Sequence, residues 1–205
     1  MYKLVTLPGT CSTGIHVLLN ILGIKAEVIH RDEVPNYQQK VPTNQVPALL
    51  DGDLVLTEGA AIILYLLDKH QVTFSNEQEK TTFNQWLMFN YATLHPAYSK
   101  LFTTAFVMAD SEEKTIYLQQ LGDSVAELWK IIDSRLAHQP YITGNNVTVM
   151  DYLLAIYVNW GNYFPQLTIP VGDNVKRLVA DVTQHKAFVD AFDNEGATFS
   201  LPQGA

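Results

Sequence analysis

The chain opens on a short apolar run, residues 3–7, which Pro8-Gly9 ends as turn residues end a buried strand. The apolar period then changes. Cys11, Ile15, Leu18 and Leu22 recur at helical spacing, and Gly23 stands where a C-terminal cap belongs. Residues 26–30 predict a second strand. Two prolines and several polar side chains make 32–44 an irregular loop with at most one weak helix. Residues 46–50 and 54–56 flank Asp51-Gly52-Asp53, a hairpin signature. A helix opens at Glu58 and runs through Ala60, Ile63, Leu64 and Leu67. The order β-α-β-(α)-β-β-α, within about seventy residues, describes two parallel strands joined by a helix and then an antiparallel hairpin.

Beyond residue 76 the strand signals nearly vanish. Residues 77–94 and 111–136 predict long helices, the second with Leu118, Leu121, Val125, Leu128, Ile132 and Leu136 on one stripe. Residues 148–160, 175–182 and 186–192 predict three more. The chain therefore divides into an α/β domain over 1–70 and an all-α domain over 77–205, joined by a linker at 71–76. The tail, 196–205, has too little apolar periodicity to assign.

Composition narrows the partners. The chain has 205 residues, 47% hydrophobic and 17% charged, which is globular. A formal net charge of -8 makes it a poor binder of nucleic acid or anionic membranes, so neither is expected as a partner. An anionic ligand would need a local site of backbone amides. No window approaches the ~18 apolar residues of a membrane span, and the N-terminal run is too short for a secretory signal. A single cysteine, Cys11, excludes an intrachain disulfide and fits a reducing, cytoplasmic setting.

Four stretches carry candidate chemistry. Cys11 begins a helix after Pro8-Gly9-Thr10, where free amides and the helix dipole favour a thiolate and burial opposes it. The balance is expected to favour the thiolate; the competing reading is a small buried hydrophobe. Ser12 beside it is a second hydroxyl donor or a cap residue. In Gln45-Val46-Pro47 the proline opens a strand. A cis bond there would offer the Val46 backbone to an extended peptide, and the sequence leaves the isomer open. Glu58-Gly59-Ala60 offers an acid and free amides at a helix start, suited to an α-amino acid end or simply to the helix dipole. Thr148 and Asp151 have capping-box spacing and are structural. His95 follows Leu94 at the end of the first long helical pattern, where a histidine is ordinarily a favourable C-terminal charge. No metal-ligand cluster or phosphate loop stands out, so no metal is expected.

With these signals in this order the chain resembles the glutathione transferases, and among them the bacterial beta class. The resemblance rests on Pro8-Gly9-Thr10-Cys11-Ser12, residues 45–50, residues 56–62, the 86–102 helix with Leu94-His95, and residues 147–152. It implies a thioredoxin-like N-terminal domain, a C-terminal helical domain, a homodimer and a role in detoxification. Glutathione is the implied co-substrate and a small apolar electrophile the implied partner. By position, Cys11 would face the glutathione sulfur and Val46, before a cis Pro47, would pair with the cysteinyl backbone. Glu58 and Gly59 would hold the γ-glutamyl end, and His95 would stand near the sulfur. Arg31 and Lys40 are candidates for the glycyl carboxylate. Tyr98, Phe102, Phe106 and Trp160 are candidate pocket walls, with core the better reading for Trp160. The competing reading is a non-catalytic interaction module on the same fold; disulfide reduction through Cys11 is the competing chemistry.

Overall fold

A computed structural model describes residues 1–205. The chain separates into two compact units, Met1–Lys80 with Thr183–Phe199, and Thr81–Val182 with Ser200–Ala205. The first is built on a four-stranded sheet of order β2-β1-β3-β4, from β1 (Tyr2–Thr6), β2 (Ala26–His30), β3 (Ala48–Asp51) and β4 (Leu54–Thr57). β1 and β2 are parallel, joined by α1 (Cys11–Ile21), whereas β1 pairs antiparallel with β3 and β3 with β4. This is the thioredoxin-like order expected from the sequence. The weak helix of the central loop is α2 (Tyr37–Lys40), and α3 (Gly59–Lys69) closes the unit with Ile62, Ile63, Leu66 and Leu67 buried.

A helix predicted in the C-terminal stretch also belongs to this unit. α9 (Lys186–Glu195) packs along α1. Glu195 receives the Thr13 hydroxyl at 2.7 Å and stands 2.9 Å from His16 Nδ1, while the Asn20 amide donates to the Ala187 carbonyl at 3.0 Å. No periodicity within 186–192 could announce these partners, because they lie some 180 positions away along the chain.

The second unit is helical: α4 (Glu77–Phe89) leads into it, followed by α5 (His95–Val107), α6 (Glu112–Leu136), α7 (Val149–Trp160) and α8 (Asp173–Val182). All twelve residues of α7 are buried, so it is a central helix, apolar all round. Its start is the predicted capping box, closed by Thr148 and Asp151. On α6 the buried stripe is Leu118, Gly122, Val125, Trp129, Ile132 and Leu136. The expected Leu121 and Leu128 are only half-buried, and Gly122 takes a place in the stripe because a Cβ there would stand 3.3 Å from Leu167. Trp129 is fully buried with its indole N–H on the Tyr98 hydroxyl at 2.9 Å, so a large apolar area is removed from water without orphaning a donor. No helix is long and apolar enough to cross a membrane.

Candidate active site

The turn before α1 sets the first part of the site. Gly9 takes φ +70, a conformation that favours glycine. Thr10 is the N-cap: its hydroxyl donates to the Leu7 carbonyl at 2.9 Å and accepts the Ser12 amide at 3.3 Å. Ser12 is fully buried, accepts the Leu7 amide at 3.2 Å and lies 2.7 Å from the Thr10 hydroxyl. Its hydroxyl is engaged within the turn, which leaves no proton for a bound sulfur. The cap that the sequence left open between two roles falls to Thr10.

Cys11 is the first residue of α1 and is 6% exposed. Its own amide and that of Ser12 bond the sulfur and favour the thiolate, as a helix start predicts. Burial outweighs them, the Glu58 charge adds to it, and the thiol is pushed up to about 12. The expected thiolate is therefore overturned. At neutral pH Cys11 is a protonated thiol whose S–H points to the Val46 carbonyl at 3.9 Å. The loss of hydration on burial exceeds what the helix start returns.

Across from the sulfur, the Val46–Pro47 bond is cis. Val46 is half-buried and Pro47 buried, and Gln45 is exposed with its carbonyl accepting the Tyr37 hydroxyl at 2.7 Å. Tyr37 thus fixes the loop that presents Val46. Its only signal in the sequence was an aromatic residue in a polar stretch. Glu58 is exposed and takes φ +64, costly for a residue with a Cβ and by about 1 kcal/mol or more. Its carbonyl accepts the Ile62 amide at 2.9 Å, while the first amides of α3, at Gly59 and Ala60, are left to an incoming acceptor. The first unit therefore gathers Cys11, Val46, Glu58 and Gly59 at one end of its sheet and helices. Arg31 pairs with Asp32 at 3.0 Å beside a depression of about 470 Å³ that it shares with Tyr37 and Asn44, and Lys40 is exposed.

His95 belongs to the second unit and is not at a helix end. The residues Asn90–Leu94 form a π turn, and the chain continues as α5 through Pro96. The wider turn accepts a proline that lacks an N–H, so the helix runs on where a break was expected. The C-terminal-charge reading of His95 therefore falls. Its ring lies 5.3 Å from Trp160 and 5.9 Å from Tyr157, centroid to centroid, and burial lowers its pKa, which keeps the imidazole neutral. Of the candidate pocket walls, Tyr98 and Trp160 are core residues, Phe102 is half-buried and Phe106 is 66% exposed.

Comparison with known proteins agrees with this layout. Residues 1–68 match the family model "Glutathione S-transferase, N-terminal domain". A glutathione S-transferase of Xanthomonas campestris, GST-4.5, is 27% identical over 78% of this chain and 82% of its own. The solved glutathione S-transferase from Xylella fastidiosa superposes with a TM-score of 0.86 at 22% identity, covering 97% of this chain and all of the other. A sphingomonad glutathione S-transferase solved with glutathione gives 0.79 at 25% identity, covering 96% and all of the other. Residues 1–68 are thus a glutathione S-transferase N-terminal domain, and the chain as a whole has the glutathione transferase fold.

Proposed function

We propose that the protein is a glutathione transferase, binding glutathione on the first unit and conjugating it to small apolar electrophiles. The observation that carries this is the convergence on one face of the Cys11 thiol, the Val46 backbone beside its cis bond, and Glu58 with the open amides of α3. In the reaction the glutathione thiol gives up its proton, its sulfur forms a bond to carbon, and the leaving group departs with the electron pair. Cys11, held as a thiol, donates its S–H toward the glutathione sulfur and steadies the developing thiolate. Glu58 receives the α-ammonium of the γ-glutamyl group, and Val46 pairs with the cysteinyl backbone. Gln45 and Pro47 shape that edge, and Gly59 lends its amide to the α-carboxylate. Neutral His95 is a polar group for the acceptor side. A homodimer in the cytoplasm, serving detoxification, fits this reading.

Burial of Cys11 favours conjugation over thiol-disulfide exchange, because a thiol held near 12 is a poor attacking group at neutral pH. The test is to assay 1-chloro-2,4-dinitrobenzene conjugation and 2-hydroxyethyl disulfide reduction side by side for the parent and Cys11→Ala. Conjugation that survives in Cys11→Ala within roughly tenfold supports the reading, since one weak donor is lost. Disulfide reduction that dominates in the parent and vanishes in the variant would replace it with exchange chemistry.

A further inference from the structure

Away from Cys11, the first unit holds a second cleft, of about 750 Å³, formed by the C-terminal half of α1, β2 and the first turn of α9. That volume lies in the range of small-molecule sites. Leu19, Ile24 and Val28 give it an apolar side. His16 also lines it, although the residue is only 7% exposed. Glu195 occupies the ring's Nδ1 at 2.9 Å, and Nε2 has no partner in the protein. Asn20 lies one turn further along the same face of α1 and holds the Ala187 carbonyl at 3.0 Å, which seats the start of α9 against it. No side chain caps α9. The amides of Lys186 and Ala187, two cleft residues, are therefore open donors at the positive end of a ten-residue helix.

The charges lining the cleft are unevenly committed. Glu27 is held by Lys3 at 2.9 Å and Asp190 by Lys186 at 2.6 Å, whereas Lys25 has no carboxylate partner. The uncommitted charge is positive, in a chain of net charge -8. We infer that this cleft is a second binding site, for a small amphipathic carboxylate. The carboxylate lies on the free amides of Lys186 and Ala187 with Lys25 as counter-charge, and the apolar body covers Leu19, Ile24 and Val28. His16, with Nδ1 anchored by Glu195, supplies a further polar contact through Nε2, a donor in the imidazolium form.

Octanoate is a suitable probe and 1-octanol its uncharged control, followed by amide resonances with and without glutathione. Octanoate should shift Lys186 and Ala187 equally in both conditions, and 1-octanol should not. Lys25→Glu should weaken octanoate about fivefold or more, the effect of reversing one charge at a partly exposed contact. His16→Gln should weaken it by a similar factor; if that variant does not fold, Lys25→Glu carries the test alone. Shifts confined to other residues, shifts abolished by glutathione, an equal response to 1-octanol, or an affinity unchanged by Lys25→Glu would each overturn the site.

Discussion

At Cys11 two well-founded effects oppose each other, and their sizes decide the chemistry. A helix start stabilises a sulfur anion by amounts on the order of 1 kcal/mol, while removal from water raises a buried thiol by several pKa units. With the thiol pushed up to about 12, thiolate at pH 8 falls to about one part in ten thousand, far below that of an exposed cysteine. Alkylation of the free protein by iodoacetamide should accordingly be at least a hundredfold slower than that of free cysteine at pH 8, and should keep rising to beyond pH 10. A plateau near pH 7 would show a thiolate instead. The sequence placed Cys11 on the helix start correctly, because Pro8-Gly9-Thr10 is local information. It could not weigh burial, because the atoms that desolvate the sulfur come from distant segments, among them residue 46 at 35 positions away. Ser12 and Tyr37 illustrate the same limit. Whether a hydroxyl faces a ligand or its own turn depends on the fold around it.

Element boundaries were legible wherever the signal was local. The hairpin at Asp51-Gly52, the capping box of α7 and the long stripe of α6 all follow from neighbouring residues. The continuation of the helix through His95-Pro96 was not legible, since it depends on a π turn that only packing selects. The cap of α8 was hidden for a similar reason. Asp133, on α6, accepts the Asn174 amide at 2.8 Å and the Val175 amide at 3.1 Å, and Gly172, at φ +92, lets it approach. Asp133→Ala should cost about 1–2 kcal/mol in urea unfolding, as the loss of an N-cap does; an unchanged midpoint would contradict that role. Asp151 adds a pH dependence. Burial raises its carboxyl to about 6, so the folded state binds the proton more tightly than the unfolded chain, whose carboxyl titrates near 4. Its contribution is whole below about pH 4 and is lost as pH rises to about 6, by an amount on the order of 3 kcal/mol. Relative to Asp151→Ala, the parent's stability margin should shrink over that window. A margin that grows with pH would show that the hydrogen bonds to the carboxylate outweigh its burial.

Over the whole molecule, the thioredoxin-like order of the first unit follows from alternation, turn residues and helical period, and the helical character of the second follows from the absence of strand signals beyond residue 76. The placement of α9 with the first unit did not follow, because it rests on Thr13, His16 and Asn20 meeting residues 187 and 195. The central claim concerns the face where Cys11, Val46 and Glu58 meet, and calorimetric titration of glutathione tests it most directly. The parent should bind one glutathione per chain. Glu58→Ala should fold normally and lose tenfold to about a hundredfold in affinity, the loss expected when a bound ammonium is deprived of its charged partner. No measurable heat with the parent, or an affinity unchanged in Glu58→Ala, would contradict the account.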